Sequence, residues 1–388
     1  MCYGSDTIKI FEERLSKIPR YPNLKVFKNG FERLVRLTAA EYRDLMKVIL
    51  FALDDLLPDK KINKDLCKLF SLWIDMYIWS CKREYTESDL HEFENAIIVW
   101  SDLFIKLLSE FSPSNLNLPK LHSWHYHLIP SIRQFGAVNG FTSETYELLH
   151  KTNVKQPYRM TNKRHVRCQN IFSFLISRIY SRSYSNICYG IITKKCIKQM
   201  TQHTIYQVIQ EIENTNNFNE LWLCDFKNLK SCICDYFHDV EEWSSHDIES
   251  EVIEIKVFGS AYLENEHKII IRASPNYYEQ AAFSDVCVKI DESEQDNYLT
   301  DNGFCYAKVL LILQITSKKL GQNHLDFALV SWYDFANIQH CYFYKCAILK
   351  YIEHYTLIPI ASIANIVHII PKFSKPENFY VNKHIEYY

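Results

Sequence analysis

Glu147 and His150 stand three residues apart in a stretch patterned as a helix that starts at Thr142 or Ser143, so both would lie on one face. There the imidazole can orient the carboxylate or contact a phosphate. Beyond them the chain turns basic, with eleven Lys/Arg and no Asp/Glu over residues 151–200. An acid bordered by cations suggests phosphate chemistry. The leading cations are Lys151, Lys155, Arg159, Lys163, Arg164 and Arg167. Such a run can bind nucleic acid by releasing counterions from phosphates, with an affinity that falls with salt and reads no base sequence. A plainer account stays open: the run as a solvated face, Glu147 as an exposed acid paired with Lys151 one turn on, and His150 as a structural histidine.

Two further clusters carry possible metal ligands. His122, His125 and His127 form an H-x-x-H-x-H run with no matching cysteines nearby, a weak zinc pattern that packing explains as well. Cys232, Cys234 and His238 offer three donors at irregular spacing, where ordinary buried thiols are the simpler expectation.

The elements that must position these residues follow from the hydrophobic pattern. With 388 residues and 47% apolar content the chain can build two or three domains with real cores. Its net charge of −2 conceals segregation, because residues 201–250 reverse the sign of the preceding block with ten Asp/Glu and two Lys. Thirteen cysteines without framework spacing, and an N-terminus lacking the apolar core of a signal peptide, lead us to expect an intracellular, reduced protein. No membrane segment is expected, since the apolar stretch 357–373 is broken by Pro359, His368 and Pro371.

A short helix is expected over Ile8–Lys17, and a firm one from Thr38, whose spacing to Glu41 is that of a capping box. Two more amphipathic helices carry the stripes Leu66 to Ile78 and Leu90 to Leu108, the latter starting near Thr86. Their aromatic residues read as core. Residues 201–250 read as a helix followed by a linker. From about 251 the period changes to that of strands, in VIEIKVF, KIIIRA, VCVKI, CYAKVLLILQIT, FALVSWYDF and IPIASIANIVHIIPKF. Short β-branched runs without long helices between them predict an antiparallel barrel or sandwich.

Between Lys120 and Arg164 the order K-x-H-S-x-H-Y, I-R-x-F-G-A-x-N-G, E-x-x-H and V-K-x-P-Y-R-x-x-N-K/R resembles the C-terminal catalytic motif of fungal Plavaka-type DDE transposases, relatives of the CACTA and KDZ transposons. The earlier run IP-x-YP-x-L-x-x-F-x-x-G and the threonine-capped helix after it resemble the start of that family's helical insertion. There the family reads Trp-Thr-Gly and this chain has Leu37-Thr38-Ala39. The C-terminal strands, with P-x-F and F-Y-V-N, resemble its β domain more loosely.

Pattern and resemblance together lead us to expect an α+β chain: a helical bundle over 1–118 that by resemblance is an insertion, by resemblance a C-terminal remnant of a ribonuclease H-like core over 119–200, an acidic helix and linker over 201–250, and a β-rich domain over 251–388. The resemblance implies that Glu147 is the third acid of a DDE triad and a Mg²⁺ ligand, with His150 orienting it, and that the basic run lies near DNA at transposon ends. It places the two Asp-bearing strands upstream of Met1, so this chain alone is expected to be inactive in strand cleavage and transfer. Nuclear location follows from the resemblance only, and a homo-oligomer stays open. The alternative is a domesticated, non-enzymatic DNA- or protein-binding protein.

Overall fold

The computed structural model describes residues 5–25, 27, 37–114, 116–142, 147, 149–160, 220–244, 253–263, 269–277, 280–290, 299–320, 324–337 and 346–385. They fall into two compact units, Met1–Cys67 with Lys194–Tyr388, and Lys68–Thr193.

The first unit begins with α1 (Ser5–Lys17) and α2 (Ala39–Leu53). The expected capping box is present: the Thr38 hydroxyl accepts from the Glu41 amide, and the Glu41 carboxylate accepts from the Thr38 amide. Both bonds satisfy amide groups that the first turn cannot pair internally. At the other end of α2 the Arg14 guanidinium donates to the carbonyls of Ala52, Asp54 and Asp55. A cation there also complements the negative end of the helix dipole.

Among the described residues the rest of this unit is β structure with one α-helix. The strands are β1 (Ile253–Phe258), β2 (Ser260–Tyr262), β3 (Ile270–Tyr277), β4 (Gln280–Phe283), β5 (Asp285–Lys289), β6 (Phe304–Ser317), β7 (His324–Asn337), β8 (Ile348–Pro359), β9 (Ile363–Val367), β10 (Ile369–Pro371) and β11 (Asn378–Val381). The main sheet runs β10-β11-β8-β7-β6-β5-β9, with β1 also paired to β6, and β2-β3-β4 form a small sheet beside it. Every paired neighbour is antiparallel. The sheet's two ends, β9 and β10, are joined in the chain by a single residue, His368. The sheet is therefore barrel-like and nearly closed, and the fold is α+β.

A bulge in β6 explains how this central strand serves two cores. Before the irregularity at Val309/Leu311, Ala307 and Val309 pack with Ile271, Ala273, Val286 and Val330. After it Ile312 continues that cluster, while Leu311, Leu313 and Ile315 turn to the other face. One extra residue shifts the period-two alternation and exchanges the faces. The second face is covered by the helix Glu220–Asp239, through Leu229, Ile233 and Phe237.

The N-terminal helices dock on the last strands. The buried Tyr380 hydroxyl donates to Asp54 Oδ2 at 3.0 Å, and Lys372 Nζ lies 3.5 Å from the same oxygen. Phe51 of α2 packs against the rings of Tyr380 and His384. Asn382 Nδ2 donates to the Lys47 carbonyl at 3.0 Å. The sequence pattern groups α1 and α2 with the helices that follow them; in the structure they share a unit with strands more than three hundred residues away.

α3 (Lys60–Ser80) continues into the second unit, which also holds α4 (Glu87–Leu108) and α5 (Leu128–Phe135). Thr86 caps α4 in a second capping box, with Asp89 at N3. The core of this unit is aromatic. Trp73 packs on Trp100 and Trp124 at ring-centroid distances of 5.0 and 5.5 Å, and Phe93 lies against Trp79 and Trp124. Among the described residues no helix is long and apolar enough to cross a membrane.

Candidate functional site

Trp124 fixes the segment that carries the histidines. It sits in the π turn Ser123–His127, after the helical turn Pro119–His122 and before α5. With the indole held between Trp73 and Phe93, the neighbouring residues take fixed directions. His125 turns inward, its Nδ1 3.2 Å from the hydroxyl of the buried Ser101 on α4. His122 and His127 stay exposed, their ring centroids 5.0 Å apart. The three histidines thus separate into a packing residue and an exposed pair.

Past α5 the chain reverses at Gly136, whose φ of 85° favours glycine, and its amide donates to Ile132 O at 2.8 Å. Gly140 lies in a helical turn, Val138–Phe141. Arg133 Nε and Nη2 both donate to Glu87 Oε2, at 3.2 and 3.1 Å, and Asn139 Nδ2 donates to Cys81 O at 3.3 Å. These bonds tie the reversal to the two ends of the α3–α4 connection.

Glu147, Leu149 and His150 are helical and exposed. The helical path continues through the π turn Lys151–Lys155 and the turn Gln156–Met160. Lys151, Lys155 and Arg159 are all exposed. At successive four-residue steps they form one cationic edge following Glu147. Lys163, Arg164 and Arg167 lie outside the described residues.

A DDE centre requires several carboxylates converging on two divalent ions about 4 Å apart. Among the described residues no three His, Cys, Asp or Glu side chains gather to hold a metal, around Glu147 or elsewhere. One exposed carboxylate does not fit the metal pair.

The second cysteine–histidine cluster is dispersed by its helix. Cys232 is buried, with its thiol donating from the helix to Tyr355 O of β8 at 3.4 Å and its pKa raised chiefly by burial. Cys234 is half-buried, and the exposed His238 has Nδ1 3.0 Å from Asp239 Oδ1. Burial of Cys232 makes it an inert core thiol.

The described fold is thus an α+β protein with a nearly closed antiparallel sheet and a separate helical unit. Against protein-family models, curated proteins and solved structures, the chain has no match. Sequence reasoning identified the histidine run but gave no sign that a π turn would pair its first and last members. It also passed over β8, whose apolar residues alternate irregularly with Lys350, Glu353 and His354.

Proposed function

We propose that this chain is the C-terminal part of a transposon-derived DDE transposase of the Plavaka type, and that its own contribution is to hold DNA. The observation that carries the DNA-holding role is the exposure of Lys151, Lys155 and Arg159 at four-residue spacing directly after Glu147. The motif resemblance supplies the transposase reading. Contacts from these side chains would go to phosphates, so binding would be insensitive to base sequence and weakened by salt. In this reading the outward Glu147 is the third acid of the triad, a Mg²⁺ ligand in the intact enzyme, and His150 its orienting neighbour. No cleavage step is assigned to this chain, because among its described residues no group of three possible metal ligands includes Glu147. The partner is transposon-end DNA, the place of action the nucleus, and a homo-oligomer is compatible with paired ends.

The alternative is a non-enzymatic protein that uses the same cations for DNA or its β unit for a protein partner. Its support is that the β unit has cores of its own, independent of Glu147.

Fluorescence anisotropy with a labelled DNA duplex at low salt tests both. The wild-type chain should bind, and the Lys151→Glu, Lys155→Glu, Arg159→Glu triple variant should lose most of that affinity. Unchanged binding in the variant removes this edge from the reading. Addition of the separately expressed Asp-bearing strands, with Mg²⁺, then separates transposase from binding protein: cleavage abolished by Glu147→Gln supports the first.

A further inference from the structure

The exposed pair His122 and His127 owes its geometry to the π turn between them. In an α-helix residues five apart point about 140° away from each other around the axis. The i→i+5 bonding of a π turn widens the loop and brings such residues to one side. Their ring centroids are 5.0 Å apart. Two imidazoles bound through nitrogen to one tetrahedral Zn²⁺, at roughly 2.0–2.1 Å each, place their ring centres about 5 Å apart. The pair therefore already has the spacing of two ligands on one ion. His125 is drawn away by its contact with Ser101, and the 60% exposed Tyr126 flanks His122 at 4.8 Å.

We propose that His122 and His127 form a two-imidazole site for a late first-row divalent cation such as Zn²⁺, with solvent completing the coordination. Imidazole nitrogen favours these ions, whereas Mg²⁺ and Ca²⁺ take oxygen donors. The site is thus distinct in ligand and ion from any Mg²⁺ chemistry at Glu147. With only two protein donors it exchanges its ion readily, unlike the closed four-ligand sites that hold folds together. It does not depend on the transposase reading.

The test is calorimetric titration of the metal-free full chain with Zn²⁺, compared with His122→Gln, His127→Gln and His238→Gln. The first two variants should each weaken the same binding event by about tenfold or more, since either change removes the chelate. His238→Gln should leave it intact. Circular dichroism establishes that each variant is folded, which exposed positions should permit. Equal binding by all four proteins overturns the proposal, as does equal weakening by His238→Gln. Substoichiometric Cu²⁺ provides a second readout by NMR. It should broaden the imidazole signals of His122 and His127 ahead of the others among the fifteen histidines, and uniform broadening counts against the site.

Discussion

His368 Nε2 donates to the carbonyl oxygen of Pro19 at 3.0 Å, linking the residue between the two end strands of the sheet with the segment that follows α1. Its other nitrogen, Nδ1, accepts from Asn382 Nδ2 at 3.0 Å. That amide group also donates to Lys47 O, while Asn382 Oδ1 accepts from the His384 amide. Each bond agrees with a neutral imidazole carrying its proton on Nε2. A proton added at Nδ1 would face an amide donor in a site that is 2% exposed.

Stability should consequently rise with pH between about 4 and 6.5. Burial lowers the His368 pKa from 6.5 to about 4, so in that interval the unfolded chain binds more protons than the folded one. The stability lost on acidification begins near pH 6.5, levels off near 4 and amounts to about 3 kcal/mol from this group. Urea unfolding at several pH values should show it as a difference in slope between wild type and His368→Gln. Parallel profiles would exclude His368 as the cause.

The Tyr380 to Asp54 bond makes a prediction at neutral pH. Tyr380→Phe keeps the ring against Phe51 but deprives the Asp54 carboxylate of a donor in a site where Asp54 is only 9% exposed. Lys372 remains close, which limits the damage. Loss of the bond should cost about 1–3 kcal/mol in denaturant unfolding. A change within error would mean that water replaces the hydroxyl.

Phe93 is fully buried in the aromatic core of the Lys68–Thr193 unit. Phe93→Ala leaves a void between Trp79, Tyr85 and Trp124 and should lower stability by about 3–5 kcal/mol. Tryptophan fluorescence during urea unfolding measures it, because Trp73, Trp79, Trp100 and Trp124 all belong to this unit.

If Lys151, Lys155 and Arg159 contact phosphates, reversing all three should flatten the dependence of log Kobs on log salt. Each contact contributes about 0.9 to the slope, so the expected loss is about 3. The change should be the same for unrelated duplexes. A variant with reduced affinity but an unaltered slope would indicate loss of structure instead of loss of phosphate contacts.

Much of the secondary structure was legible in the chain. Thr38 and Glu41 announce α2, the stripes Leu66 to Ile78 and Leu90 to Leu108 announce α3 and α4, and the β-branched runs after 251 announce an antiparallel sheet. The exposure of the cations at 151, 155 and 159 also agrees with their polarity. β8 was not legible. It borrows its regularity from pairing with β7 and β11 on either side, and an isolated stretch containing Lys350, Glu353 and His354 gives little strand signal of its own.

Caps, amphipathic faces and the period-two runs depend on residues a few positions apart, so they can be read along the chain. Tertiary structure decided the rest. The bond from His368 to Pro19, the docking of α2 through Asp54 and Tyr380, and the inward turn of His125 toward Ser101 all join groups distant in the chain. Whether a buried polar group is satisfied depends on partners that only the folded chain brings within about 3 Å. The histidine pair lies between the two cases. Its residues are five apart, yet a π turn held by Trp124 in a distant aromatic core sets their spacing, because local sequence does not choose between α and π bonding there.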